Sequence, residues 1–252
     1  MVLPEISRRD MQASIEPLKV QSLKAACINR LEGLILSGEL RIGERLPSER
    51  EFAQRLEVSR PVLHEALVDL GTKGLVQIIP RRGVFVSDYR RSGSLALLSS
   101  LLAYHNGQLD PAFTQSLIDM RQIVETDAAR LAGRKRTADH LVGFRTLLSE
   151  EARTPCGDPR ALTSLDFSFH LQVAIASGNL VYPLLINSFQ GVYTSLTGEF
   201  FRRYCGTAVV EAVHRFHQEL VEALKAKEAE NAARIMSAML KHGERYLKGK
   251  QP

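Results

Sequence analysis

The chain is poor in cysteine and has no arrangement of it that could organise a fold. Cys27, Cys156 and Cys205 are widely spaced, odd in number and contain no C-x-x-C pair. That excludes a disulfide framework and a thiolate zinc site as the organising device, and reduced, structural thiols are the expectation. Long apolar runs are missing as well. The longest mainly apolar stretch, Leu95 to Tyr104, is broken by Ser99 and Ser100 and is about half of what a spanning helix needs, so no membrane span is expected. Where a signal peptide would carry its apolar core the chain has Arg8, Arg9 and Asp10, and a cytoplasmic location follows as an expectation. There is no internal repeat and no low-complexity segment. Nor is one sign of charge in large excess: 15 basic residues face 12 acidic ones up to Arg91, and 18 face 16 beyond it. A net charge of +5 permits a polyanionic partner without demanding one, so a nucleic-acid argument must rest on where the arginines sit.

What is present is ordinary globular material, 252 residues that are 44% apolar and 24% charged, enough for one large or two modest domains. Residues 1–18, with Pro4, Pro17 and mixed charge, show no period and read as a mobile arm. From Lys19, the stripe Val20, Leu23, Cys27, Leu31 and Leu34 predicts a helix that Gly38 closes. After a loop to Pro47, Ser48-Glu49-Arg50-Glu51 is an S-x-x-E capping box opening a short second helix to about Leu56. Ser59 caps a third, with Pro61 in its first turn, Ala66, Leu67 and Leu70 facing inward, and Gly74 at its end. The period then drops to two. Leu75–Ile79 and Val84–Ser87 flank Pro80-Arg81-Arg82-Gly83, a hairpin.

Three helices and a hairpin form the winged helix-turn-helix order, placed at residues 19–89. Residues 90–94 read as a polar linker. Residues 95–250 show only helical stripes, which predicts an all-α bundle of six or seven helices and makes the whole mainly α.

In a helix-turn-helix the second helix enters the major groove, where short polar and basic side chains reach base edges. Ser59, Arg60 and His64 lie on its outward face. Arg60 is the natural guanine reader, since a guanidinium bonds O6 and N7 together. Arg50 and the Ser59 hydroxyl suit phosphates, and Arg81 and Arg82 beside Gly83 suit a wing entering the minor groove. Taken singly, each is equally a solvated charge beside a cap or turn.

The full string Gly38-x-Leu40-x-x-Gly43-x-x-Leu46-Pro47-Ser48-Glu49-Arg50, Val58-Ser59-Arg60, Glu65-Ala66-Leu67, Gly74-Leu75-Val76 and Arg82-Gly83-Val84-Phe85-Val86 strongly resembles the DNA-binding domain of GntR-family bacterial transcription regulators. The resemblance implies that Arg50, Arg60 and Gly83 contact DNA. It has departures: His64 stands where the family usually has arginine, and Arg60 runs directly into Pro61 where a threonine often intervenes. A neutral imidazole does not replace a guanidinium on guanine or phosphate, so a different operator sequence or affinity is expected.

In the bundle, titratable residues sit inside apolar stripes, where burial without a partner costs several kcal/mol. Asp166 and His170 share the stripe of Leu162, Phe169 and Val173. His217 is in register with Val210, Val213, Leu220 and Leu224, and His242 with Ile235, Met239 and Tyr246. If the chain turns near Lys227 to Ala229, His217 lies about ten residues before the turn and His242 about fourteen after it. At about 1.5 Å per residue, the two imidazoles come within roughly one helical turn of the same height. Asp166, His170, His217 and His242 then converge as a set suited to Zn²⁺, with Ni²⁺ or Mn²⁺ as other occupants; the alternative is a satisfied buried His/Asp network. Arg121 falls between Leu117 and Val124 and must meet an anion or a buried acid, with Glu125 and Asp127 as internal candidates.

This layout resembles the FCD ligand-binding domain of the FadR branch of GntR regulators. The resemblance implies a metal on Asp166, His170, His217 and His242, with His214 a neighbour. It also implies an effector carboxylate on Arg121, within an R-x-x-[IL]-E-like segment, and a role for Asn179, whose other reading is a helix cap. The sequence as a whole is therefore read as a homodimeric transcription regulator, a repressor by expectation. Its partners would be double-stranded operator DNA and a small organic acid, a hydroxy acid or sugar acid, bound beside a divalent metal. A regulator for which the cation is itself the signal is an alternative. A metal-dependent enzyme is disfavoured, since no HExxH base and no acid partner near Asp166 is present.

Overall fold

The computed structural model describes residues 22–104 and 111–247. The expected mobile arm, the helix start at Lys19 and Val20, and the break at Asn106-Gly107 lie outside the described residues. The chain divides into two compact units, residues 1–93 and 94–252.

In the first unit, α1 (Leu23–Leu36) is capped by Ser22, whose hydroxyl accepts from the Ala25 amide at 3.2 Å. It buries Cys27, Leu31 and Ile35, while Leu34 stays half-buried. Ser48 caps α2 (Glu49–Arg55), and Ser59 caps α3 (Arg60–Thr72) with Pro61 in the first turn, where its missing N–H is not needed. Leu63, Ala66, Leu67 and Leu70 of α3 are buried, and α1 packs against that helix. The hairpin pairs β1 (Val76–Ile79) with β2 (Gly83–Val86) antiparallel, Val76 opposite Val86. Val76, Val84 and Val86 turn inward and close the core.

Past the hairpin, the segment expected to be a linker begins instead as one helical turn, α4 (Tyr89–Ser92), because Asp88 caps it through the Arg90 amide. Its end folds back on α3: Ser92 Oγ donates to the Gly74 carbonyl at 3.2 Å. A Cβ on Gly74 would lie 2.0 Å from the Ser92 carbonyl oxygen, and its φ is +78°, so this position requires glycine.

The second unit is all-helical, with eight helices among the described residues: α5 (Leu97–Tyr104), α6 (Pro111–Lys135), α7 (Ala138–Arg153), α8 (Pro159–Ala176), α9 (Tyr182–Ser188), α10 (Gln190–Tyr204), α11 (Ala208–Lys225) and α12 (Ala229–Leu247). The count exceeds six or seven because a half-turn at Phe189 separates α9 from α10. Helix α8 lies centrally, packed by α6, α7, α9 and α10. The long α6 runs against α12, and Gly133 permits the approach, since a Cβ there would meet Ala229 Cα at 2.7 Å. Phe144, Phe169, Val173, Leu220, Leu224 and Met236 form the main apolar cluster. These packings bring charged residues of α6, α7, α8 and α11 together.

The cysteine expectation is corrected here. Cys156, in the α7–α8 turn, and Cys205, after α10, form a disulfide with a Cα–Cα separation of 5.4 Å. Wide spacing in sequence concealed two turns that lie side by side. Cys27 remains a free, buried thiol, its pKa raised by burial.

Candidate functional site

In the first unit, the start of α2, the start of α3 and the hairpin tip border one groove of ≈ 530 Å³, lined by Arg45, Arg50, Arg60, Arg81, Arg82, Gly83 and neighbouring residues. Arg50, Arg60, His64, Arg81 and Arg82 are all exposed. The Ser59 hydroxyl accepts from the Val62 amide, and so serves as the helix cap. Arg81 takes a positive φ of 63° at the tip. Gly83 combines a φ of +112° with the Arg45 side chain, whose Nε would lie 3.1 Å from a Cβ there. Sequence reasoning missed Arg45, and also Glu49: its Oε1 lies 3.0 Å from His64 Nδ1 and its Oε2 lies 3.5 Å from Arg60 Nε.

In the second unit, Asp166, His170 and His217 each present a ligand atom within 4.8 Å of one another, all three residues buried. Around them stand two carboxylates: Glu125, which the sequence offered only as a partner for Arg121, and Glu151, which it did not assign. His170 Nδ1 bonds Glu125 Oε2, and His217 Nδ1 bonds Glu151 Oε1 at 2.8 Å. A carboxylate only accepts, so both Nδ1 atoms carry a proton, and in the neutral imidazole Nε2 is then the nitrogen with the lone pair. His217 Nε2 is buried without a hydrogen-bond partner, 3.6 Å from Asp166 Oδ1. The other oxygen, Asp166 Oδ2, accepts from the Tyr193 hydroxyl at 2.5 Å. Burial, then the Asp166 charge, raises the Tyr193 phenol well above its ordinary range and keeps it a donor.

Burial pushes the Glu125 carboxyl up, but the Arg121 guanidinium and His170 outweigh it and hold the group down at about 2. Burial also works against Glu151, and the hydrogen bond from His217 outweighs it, leaving that pKa lowered. Arg121 makes the internal salt bridge to Glu125, Nε to Oε1 at 2.5 Å, and its guanidinium lies 4.4 Å from the Tyr193 ring centre. With Asp166, His170, Tyr193, Val213 and Met239, Arg121 borders a cavity of ≈ 50 Å³. An orphaned buried imidazole nitrogen facing a carboxylate, with a second imidazole oriented alongside, fits a divalent cation.

His242 does not join the set. Its Nε2 donates to the Val209 carbonyl at 2.9 Å, and its ring packs beside Phe216 and Tyr246. The register of α11 against α12 explains this: with Val209 opposite His242, His217 is level with a residue about eight positions earlier on α12, roughly 12 Å away. The face of α12 that reaches the cavity carries Met239, Leu240 and Gly243. Asn179 also stays apart, its Oδ1 capping the Val181 amide at 2.9 Å. His214 is a neighbour, its Nε2 3.7 Å from Glu151.

Glu125 and Glu151 had a signal in the sequence. Glu151 continues the stripe of Phe144 and Leu148, and Glu125 that of Ile118 and Ala128, the same anomaly of charge in an apolar row that marked His217. Tyr193 had none, since an aromatic in an apolar stripe reads as core.

A winged helix-turn-helix joined to an all-helical unit defines a class of DNA-binding transcription regulators. The model of the gntR family of bacterial regulatory proteins matches residues 23–86, and that of the FCD domain matches residues 116–242. The chain is 31% identical over 184 residues to the HTH-type transcriptional regulator Mce2R of Mycobacterium tuberculosis, spanning 71% of this chain and 74% of that protein. It is 28% identical to the HTH-type transcriptional regulator LutR of Bacillus subtilis, over 83% and 92% of the two chains. Among solved structures, a protein described as controlling expression of the Listeria monocytogenes agr system superposes with a TM-score of 0.60 at 18% identity, over 92% of this chain and all of that one, which supports the fold. The chain belongs to the GntR family and carries an FCD domain C-terminal to its helix-turn-helix. It is a DNA-binding transcription regulator, and its relatives are regulators rather than enzymes. No helix among the described residues is long and apolar enough to cross a membrane.

Proposed function

We propose that this regulator binds operator DNA as a homodimer through Arg50, Ser59, Arg60, His64, Arg81, Arg82 and Gly83. A small carboxylate, bound beside a divalent cation in the FCD domain, controls its affinity. Two copies match the two half-sites of a palindrome. The cation is held by Asp166, His170 and His217, with Zn²⁺ the best match to the nitrogen-rich donor set and Ni²⁺ or Mn²⁺ the next. The observation that carries this reading is the pair of imidazoles whose Nδ1 protons are committed to Glu125 and Glu151, which leaves Nε2 as the ligand nitrogen of each neutral ring, that of His217 3.6 Å from Asp166 Oδ1. The cation supplies a Lewis-acid point for an oxygen ligand. Arg121 supplies charge-assisted hydrogen bonds to a carboxylate, and a hydroxyl next to that carboxylate would offer the cation a further oxygen donor.

A cavity of only ≈ 50 Å³, with Arg121, Asp166 and His170 on an otherwise largely apolar wall, favours by its size a short hydroxy acid or sugar acid over an acyl chain. Effector binding shifts the population between two arrangements of the DNA-binding units and so changes operator affinity.

Elemental analysis of dialysed protein tests the cation, with one divalent ion per chain expected. Thermal-shift screening of metal-loaded protein against small organic acids tests the effector, because a ligand that binds only the native state raises the melting temperature. Metal-free protein that gains no ion on titration sinks the first part; a loaded protein that no acid stabilises sinks the second.

A further inference from the structure

Glu49 is the first residue of α2, and its side chain, only 23% exposed, reaches across to the first two turns of α3. There it meets Arg60 and His64, four residues apart and so on one face of the helix. We infer that Glu49 sets the base preference of this helix. It fixes His64 in the tautomer whose outward Nε2 accepts, so His64 reads an amino group on adenine or cytosine. This rests on the proposed reading of α3 as the helix that enters the major groove.

A carboxylate has no proton to give, so the 3.0 Å contact to His64 Nδ1 requires the ring to donate there. In the neutral imidazole the remaining nitrogen, Nε2, is then an acceptor, and the His64 side chain is 54% exposed. In the major groove, acceptors find partners at adenine N6 and cytosine N4, whereas guanine and thymine present oxygens. An arginine at this position has only donors and takes guanine. The other Glu49 oxygen lies 3.5 Å from Arg60 Nε, which holds the inner edge of that guanidinium and leaves its terminal nitrogens for guanine O6 and N7. With both oxygens engaged, Glu49 acts by positioning its neighbours. Each half-site therefore carries a guanine under Arg60 and, one helical turn along α3, an adenine or cytosine under His64.

The experiment is sequence selection from randomised duplexes by the full-length chain, at about pH 8 so that an ordinary imidazole is neutral. The parent is compared with His64→Arg, His64→Ala and Glu49→Ala. His64→Arg is expected to select guanine at one base pair per half-site, which marks the contacted strand. On that strand the parent carries adenine or cytosine at the same pair, preferred roughly fivefold or more. His64→Ala flattens that pair alone, while Glu49→Ala flattens both it and the Arg60 pair, a change of sequence profile that a purely structural residue does not produce. A parent with guanine or no preference at the marked pair overturns the inference, as does a Glu49→Ala profile identical to the parent's. A parent that selects no sequence at all overturns the helix-turn-helix reading itself, and the inference with it.

Discussion

His217 on α11 donates its Nδ1 proton to Glu151 on α7 at 2.8 Å, and this bond between two helices decides which ring nitrogen faces Asp166. The carboxylate fixes the orientation and tautomer of the imidazole, a supporting role whose loss ordinarily weakens metal affinity about tenfold to a hundredfold. Glu151→Ala is expected to show that loss in competition with a chelator of known affinity. An unchanged affinity would mean that the bond matters only for folding.

The register of α11 and α12 makes His242 dispensable for the cation. His242→Ala should retain stoichiometric metal, whereas His170→Ala and His217→Ala should lose it. If His242→Ala is stripped of metal on dialysis while its helical circular dichroism stays at the parent's level, the three-ligand set is wrong.

Arg121 both borders the cavity and neutralises Glu125. Arg121→Ala leaves a buried carboxylate with His170 as its remaining partner, and removing one member of a buried pair typically costs about 3–5 kcal/mol. Adding Glu125→Gln removes the stranded charge, so the double variant should recover much of that stability while its response to organic acids stays lost. Denaturant melts of the single and double variants measure the first and thermal shift the second. A double variant that still responds to the acid would place the effector away from Arg121.

The Cys156–Cys205 bond closes a loop with a sequence separation of 49. Constraint of the unfolded chain by such a loop is worth about 2–4 kcal/mol, so reduction should lower the melting temperature of the FCD domain. Intact mass under non-reducing conditions reports the bond, and melting with and without a thiol reports its worth. A melting temperature indifferent to reduction counts against a stabilising role.

Most of the architecture was legible because it is written in local signals. Ser48, Ser59 and Pro61 mark helix starts, Gly74 an end, and the change from a period of 3.6 to 2 at Leu75 marks the hairpin; each acts on its own few residues of backbone. Asp166, His170 and His217 stood out for a related reason, since a titratable group in an apolar stripe betrays burial whatever it meets.

What these groups meet is another matter. Heights on α11 and α12 depend on how the two helices slide past each other, which no periodicity records, and His242 lies about eight residues off the level of His217, at the Val209 carbonyl instead of in the cluster. The Glu49 hold on His64, the Glu125 and Glu151 bonds to the two imidazoles, and the Cys156–Cys205 bridge join residues from 15 to 66 positions apart. The sequence by itself determined most of the elements, the family, and that Asp166, His170 and His217 are buried. Only the tertiary structure decided their partners, because pairing follows the distance between side chains in the packed chain and not their separation along it.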